Sequence, residues 1–317
     1  MNAKAHNMGE KMPNPDFKQQ ILSQDNLLFA WEDVRSNRGS AGIDEITVSR
    51  WGRHWEANIE RIIEQVNANT YHPNRPKRIK VRQKNGKLRE LSLLTVTDKV
   101  LQRACLNIIE PWFDSRFLTC SHGYRKKHST ATAIHQLLNY RDKGLCWVLD
   151  ADLLDCFDHI HHPTLISLFN RVISDAFINN LLEAWLKVGR KRRDIPLGIP
   201  QGAVISPLLC NIYLHQLDAR MTCNRWHYIR YADDFIVMTF DKSQAEHAMV
   251  VVQDILNQFY LQFNERKTRL TNFDEGFTFL GVHFLENSYH YIWQDKKIEV
   301  EGKNLKTLYN HIPELYN

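Results

Sequence analysis

The sequence predicts a mixed α+β fold whose sheet carries acidic residues at its strand ends. Three observations lead there. Segments with apolar residues at helical spacing alternate with short strand-like runs. Tyr231-Ala232-Asp233-Asp234 lies between two arms, His227–Arg230 and Phe235–Met238, and reads as a β-hairpin with two carboxylates at its turn. Cys146–Ala151 reads as a buried strand that ends in Asp152. Adjacent carboxylates repel, so a fold has reason to keep them at a turn when a cation is held there.

In chain order, the polar first sixteen residues, with two prolines, predict no regular element. Phe17–Val34 has helical spacing through Ile21, Leu27, Leu28, Ala30 and Trp31, and a turn-rich stretch follows at Asn37–Gly42. Trp55, Ile59, Ile62, Ile63 and Val66 share one helical face. The alternating basic segment Arg78–Arg82 continues past Asn85-Gly86 into Leu88 and Leu91, the pattern of a hairpin with an Asn-Gly turn. Thr95-x-x-Asp98 resembles a capping box and starts a helix over Val100–Ile108. After the strand at Cys146–Asp152, residues 163–187 are mostly helical, Leu208–Leu217 is an apolar helix, and another helix begins at Ser243. Short strands are expected around Phe277–Gly281.

A hydrophobic content of 43% is enough for a buried core and excludes a disordered chain. The net charge of +5 is modest, but its distribution is uneven. Eight of the fifteen residues from Arg75 to Arg89 are Lys or Arg, as are five of the seven from Lys187 to Arg193, and Arg125-Lys126-Lys127 forms a third knot. Three basic runs flanking a carboxylate cluster point to a phosphate-rich ligand. The six cysteines form no CxxC pair, which argues against a zinc knuckle and fits a reducing compartment. No signal-peptide core and no membrane-length apolar run is present, so a soluble, cytoplasmic protein without membrane contact is expected.

Transfer of a phosphoryl group between two metal ions needs carboxylates that hold the ions about 3.5–4 Å apart, so an acid from another strand must meet the hairpin pair. Asp152 is the leading candidate because it ends its apolar run. Asp150 lies on the same strand face one step deeper, while Asp155 and Asp158 fall in the turn or helix beyond. His159, His161 and His162, just before Pro163, read as solvated or capping residues and are assigned no zinc.

The ordered motifs resemble the reverse transcriptases of group II introns and their bacterial relatives. Ala151–Ile160, Gly198–Leu208 and Tyr231–Asp234 resemble that family's three catalytic motifs. Asn264–Thr268 and Phe279–Gly281 are similar to the two that follow, and Lys84–Arg89 and Ser121–Arg125 to two fingers motifs. Asn37–Asp44 resembles the N-terminal extension, so the likeness runs from about residue 20 to 285. The resemblance implies a right-hand polymerase with fingers and an antiparallel palm sheet. Its expected division is a helical extension at 1–70, fingers at 71–146, and a palm at 147–290 with a helical insertion at about 160–197. Residues 291–317 are expected to be a tail or thumb remnant, so the thumb is absent or truncated.

By the same resemblance Asp152, Asp233 and Asp234 are the catalytic and metal-binding triad, with the Leu153 carbonyl as a further ligand. Two Mg²⁺ ions are the implied cofactors, with Mn²⁺ as a substitute. Phe157 matches the aromatic gate that excludes a ribose 2′-hydroxyl. Gln201 and Gly202 match the loop beside the incoming nucleotide, and Arg89 with either Lys84 or Arg82 matches the cations that grip its triphosphate. Lys267 is expected at the pyrophosphate. Arg75, Lys77, Arg78, Arg125, Lys126, Lys187, Arg190 and Arg192 are expected to bind nucleic acid. The implied partners are an RNA template, a DNA or RNA primer and dNTPs, with a protein or structured RNA completing the thumb.

Retron-type relatives match poorly, because their Val-Thr-Gly element is not evident. Diversity-generating relatives carry Ser-Gln where this chain has Ser206-Pro207. Compact forms tied to CRISPR spacer acquisition or phage defence fit the pattern. The alternatives are a maturase-like RNA-binding protein and a template-independent nucleotidyl transferase in defence.

Overall fold

The computed structural model describes residues 16–82, 86, 88–190, 194–293 and 296–301. Their order begins α1 (Phe17–Ile21), α2 (Gln24–Ser36), α3 (Val48–Gly52), α4 (Trp55–Asn67), β1 (Lys77–Arg82), β2 (Leu88–Leu93), α5 (Val96–Asp114), α6 (Thr130–Asp142), β3 (Trp147–Asp152) and α7 (Cys156–His159). It continues with α8 (His162–Asn170), α9 (Ala176–Gly189), α10 (Ser206–Cys223), β4 (His227–Tyr231), β5 (Asp234–Thr239) and α11 (Lys242–Gln258). Five strands close it: β6 (Arg269–Asn272), β7 (Phe277–Phe279), β8 (Val282–Leu285), β9 (Ser288–Trp293) and β10 (Lys296–Glu301).

These residues form two compact units, each drawn from two stretches of chain. The first takes residues up to Arg116 together with Phe157–Tyr213, and the second Phe117–Cys156 with residues from Leu214 on. They cut across the linear division expected from sequence, and strand pairing supplies the reason. β3 lies between β5 and β6, so its sheet draws residues 147–152 to the later chain, and α6 packs on β4.

The first unit is mainly helical. The helical pattern over Phe17–Val34 proves to be two helices: Ser23 takes an extended conformation and its side chain accepts the Asn26 N–H, which restarts the helix. The helical stretch at 163–187 is likewise split into α8 and α9, with the Asp175 carboxylate accepting the Ile178 N–H at 2.9 Å. Thr95 caps α5 as its sequence predicts, accepting the Asp98 N–H at 3.1 Å. Asp98 does not complete a capping box. Its carboxylate instead accepts the hydroxyls of Thr95 at 2.7 Å and Tyr71 at 2.6 Å, and the Asn74 N–H at 3.1 Å. β1 and β2 pair antiparallel from Lys77↔Leu93 to Arg82↔Leu88, the hairpin expected there, although Asn85 of its turn lies outside the described residues.

The second unit holds two four-stranded antiparallel sheets, in the orders β4-β5-β3-β6 and β10-β9-β8-β7. One apolar cluster serves both. It joins Ile134, Leu137 and Leu138 of α6 to Val148, Ile229, Ile236 and Met238, and these to Phe277, Phe284, Tyr289, Tyr291 and Val300. The rings of Phe277 and Phe284 stack at 5.1 Å. α11 packs on β3 and β5, burying Ala245, Ala248, Val252 and Ile255. Regular structure therefore continues to Glu301, into the stretch where a tail or thumb remnant is expected from sequence. Tyr289 and Tyr291 point the same way along β9, and it is this period-2 placement that brings the strand into the core.

Candidate active site

β5 runs between β4 and β3, and the residues after Phe235 that it carries are buried on both faces. Its first residue, Asp234, is the register partner of both Tyr231 on β4 and Asp152 on β3. Asp233 occupies the two-residue turn with Ala232. Strand register alone therefore brings together acids that are some eighty positions apart in sequence. Asp234 lies directly across from Asp152, and Asp233 lies beside it in the turn.

The electrostatics record this crowding. Asp234 is pushed up to about 7, first by burial and then by the charges of Asp233 and Asp152 and a hydrogen bond with Asp152, with Lys267 opposing. The Lys267 ammonium lies 2.6 Å from Asp152 Oδ2. Burial would lower its pKa, but the hydrogen bond and charge of Asp152, then Asp234 and Asp233, raise it, so Lys267 is held as a cation.

Asp152 is gripped by the turn that the Asn264–Thr268 motif forms. The Asn264 side-chain amide donates to Asp152 Oδ1 at 3.0 Å, and its backbone N–H donates to the Asp152 carbonyl at 2.8 Å. Asn264 belongs to a motif legible in the sequence, yet nothing in its spacing marks it as the residue that aims Asp152. Asp150 has a different partner: Arg269, its register neighbour on β6, pairs with it at 3.2 Å. That pairing separates the two β3 acids, one tied to a structural cation and one left at the strand end. Asp155 lies in a turn at φ 42° and Asp158 lies on α7. Leu153 is buried and bridges Phe263.

The acid cluster fits hard divalent cations. Among the described residues no three His, Cys, Asp or Glu side chains form a ready-made metal cage. Mg²⁺ asks for no such cage, because it keeps several waters and binds through one or two carboxylates plus substrate phosphates. His161 and His162 are engaged elsewhere, with Thr164 Oγ1 at 2.9 Å and the Gly198 carbonyl at 2.7 Å.

In the first unit, Arg89 Nε donates to Gln201 Oε1 at 3.1 Å, and the Ser92 N–H donates to the Gln201 carbonyl at 2.7 Å. Gly202 has φ +98°, and a Cβ there would lie 3.1 Å from the Ser92 carbonyl, so only glycine suits this approach. Two residues expected at the nucleotide are thus joined across 112 positions. Phe157 is buried, and its carbonyl accepts the Ile199 N–H at 2.7 Å, tying the ring's segment to the same loop.

The basic residues divide. Arg78 donates to the Gly189 carbonyl at 3.2 Å, and in the second unit Arg125 donates to the carbonyls of Leu118 and Ser121, each at 2.8 Å. Both guanidinium groups thus spend donors inside the fold. Arg75, Lys77, Arg82, Lys126 and Lys187 are exposed, Lys77 lying 3.9 Å from Glu45, and Arg190 is half-buried. Lys84 and Arg192 lie outside the described residues.

The model of the family described as reverse transcriptase (RNA-dependent DNA polymerase) matches residues 78–284, which take in most of β1 through most of β8 and include Asp152, Asp233 and Asp234. The chain belongs to the reverse transcriptase family. It is 35% identical over 205 residues to the group II intron-encoded protein LtrA of Lactococcus lactis, covering 62% of this chain and 34% of that one. It is 30% identical over 295 residues to protein YkfC of Escherichia coli, covering 79% of this chain and 77% of that one. The chain therefore spans about a third of LtrA's length. A telomerase from Candida albicans, solved with a fragment of telomeric RNA, superposes with a TM-score of 0.50 at 12% identity, covering 75% of this chain and 48% of that one. At that identity the likeness is one of fold. The group II-like reverse transcriptase identity and the α+β class with an antiparallel sheet, both expected from sequence, are borne out.

Proposed function

We propose that the chain is an RNA-directed DNA polymerase whose centre is the acid end of β3 and β5. The observation that carries this reading is the register pairing of Asp152 with Asp234, with Asp233 in the adjoining turn and Lys267 on Asp152. Asp152, Asp233 and Asp234, with the Leu153 carbonyl, would hold two Mg²⁺ ions, or Mn²⁺ in their place. When bound, the ions supply acidity to a primer 3′-hydroxyl and neutralise the charge of the triphosphate and of the departing pyrophosphate.

The bond formed joins the primer 3′-oxygen to the α-phosphorus of a dNTP, and the bond broken releases pyrophosphate. Catalysis of this kind is mostly positional and electrostatic. Asn264 aims Asp152, and Lys267, kept protonated by its acidic neighbours, meets the pyrophosphate. Arg89, Arg82 and Lys84 grip the triphosphate, Gln201 and Gly202 line the nucleotide, and Phe157 excludes a 2′-hydroxyl. Arg75, Lys77, Lys126, Lys187 and Arg190 take template and primer phosphates. For pathway, spacer acquisition from RNA or phage defence is the narrower proposal, supported by motif pattern alone. New spacers that match a reporter's spliced RNA would mark the first of these.

The deciding experiment extends an oligo(dT) primer on poly(rA) with Mg²⁺. The native chain incorporates dTTP, while Asp233→Ala loses incorporation and keeps its RNA affinity. Extension by the variant at the native rate would remove the reading. A maturase-like role without catalysis has less support, because crowded carboxylates repel the phosphates that a binding surface must attract.

A further inference from the structure

The Tyr231–Asp234 turn is braced by a buried ion pair for which no motif reading supplies a role. Arg230 is the last residue before the turn, and its side chain, like that of Asp218 on α10, is fully buried. The guanidinium makes a two-point bond to that carboxylate, from Nε to Oδ1 at 2.7 Å and from Nη2 to Oδ2 at 2.6 Å. Two further bonds reach outward. Nη1 donates to the carbonyl of Ala232 inside the turn at 2.9 Å, and Nη2 donates to Ser121 Oγ at 2.7 Å.

The segment holding Ser121 runs alongside β4. The Arg230 N–H donates to the Cys120 carbonyl at 2.8 Å, and the His122 N–H donates to the Arg230 carbonyl at 2.9 Å. His122 is fixed in turn by α6, with ring nitrogens 2.8 Å from Thr132 Oγ1 and 2.7 Å from Gln136 Oε1. Next along, Gly123 lies so close to the turn that a Cβ would stand 2.3 Å from the Ala232 nitrogen. Ala232 itself is held at φ +57°, a region that a residue with a Cβ occupies only when its surroundings impose it.

A buried ion pair is a poor source of stability, since desolvation offsets its attraction and apolar residues of similar size often serve better. Its fixed geometry is what an apolar replacement cannot reproduce. The planar fork binds a carboxylate at two points and still presents N–H groups in defined directions. We infer that Arg230, oriented by Asp218 and Ser121, is a positioning residue that locks the Ala232 carbonyl and so sets where the Asp233 and Asp234 carboxylates stand. The inference rests on the polymerase reading for its catalytic consequence, though the geometric effect can be measured without turnover.

The test compares the native chain, Arg230→Lys, and the double variant Asp218→Leu/Arg230→Met, which removes both charges together. Mn²⁺ binding to the nucleotide-free protein is followed by electron paramagnetic resonance, and primer extension on poly(rA) gives kcat and KM. The double variant is expected to melt cooperatively, to bind Mn²⁺ about tenfold more weakly, and to lose roughly 10–100-fold in kcat. Its KM for primer–template and for dTTP should stay within about twofold of the native values. Arg230→Lys keeps the charge but loses the fork, and should fall between. A folded double variant with native Mn²⁺ affinity and native kcat overturns the inference. If the double variant does not fold, Arg230→Lys decides by the same two readouts. Should neither fold, the pair is a stability element and the inference is lost. A native chain that never extends a primer removes the polymerase reading instead, while a fall in Mn²⁺ affinity in the variants would still support the positioning role.

Discussion

Two groups of candidate site residues in this molecule are held by different means. At the acid end of the second unit, strand register and side-chain bonds act together. Asp152 and Asp234 are fixed by the register of three strands, and Asp152 is further held by Asn264 and Lys267. In the first unit, Arg89 and Gln201 meet through one side-chain hydrogen bond, backed by one between Ser92 and the Gln201 backbone. Arg89 is exposed. The rigid group is suited to defining where charge develops during reaction, and the looser one to gripping a ligand that must enter and leave.

The strongest way to break this comparison is to treat the two β3 acids alike. Asp152→Asn should lower kcat by about 10³-fold, because it removes a carboxylate from the reacting centre. Asp150→Asn should change kcat by less than about threefold, because its carboxylate is spent on Arg269 and its loss is felt mainly in the half-exposed pair. Primer extension under single-turnover conditions reads both. Equal losses would mean that the strand end is not special and that the two acids act together.

The sequence makes the first group far more legible than the second, for a physical reason. A strand has period 2, so an apolar run that ends in acids and a hairpin with acids at its turn mark Asp152 as the leading candidate beside Asp150 and point to Asp233 and Asp234. The family resemblance then singles out Asp152 with the hairpin pair. What faces those acids cannot be read that way. Which of Lys267 and Arg269 meets Asp150 and which meets Asp152 depends on the register of β6 and the turn before it. Asn264 looks like any turn residue until its amide is seen on Asp152. Arg230 reads as a cation on a strand, and only its burial with Asp218 shows that it is not facing solvent. Likewise the break at Ser23 is invisible in an apolar period that runs through it, and β9 and β10 escape notice because Tyr, His and Lys mix on short strands.

A milder test addresses the looser group. Arg89→Ala and Gln201→Ala should each raise KM for dNTP by about tenfold and change kcat by less than threefold, as expected when an interaction serves ground state and transition state equally. The double substitution should cost less than the product of the two single effects, because each removes the other's partner. Steady-state titration of dTTP on poly(rA)/oligo(dT) supplies all four corners of the cycle. A large fall in kcat from either single variant would move these residues into the rigid class and erase the contrast.

The smallest effect is one of stability, and it asks whether the acid end is strained when it holds no ion. Asp234 sits at about 7 in the folded chain, well above an ordinary carboxylate, with burial as the first cause and Asp233 and Asp152 next. The folded state therefore binds this proton more tightly than the unfolded chain does. Through this group, stability rises as pH falls from above 7 toward 4, and the folded state carries the penalty in full above pH 7. In chelator-treated protein, Asp234→Asn should thus raise Tm at pH 8.5 by roughly 1–3 °C, since it removes the repelled charge. At pH 5 the native side chain is already neutral, and the two proteins should melt together. Adding Mg²⁺ at pH 8.5 should stabilise the native chain more than the variant, because the ion relieves a repulsion that the variant no longer has. Scanning fluorimetry across this pH range is sufficient. If Asp234→Asn melts at or below the native temperature at pH 8.5 without ions, the acid end is not a site of stored repulsion. Its order would then come from strand register alone, and the two groups would differ only in the number of bonds that hold them.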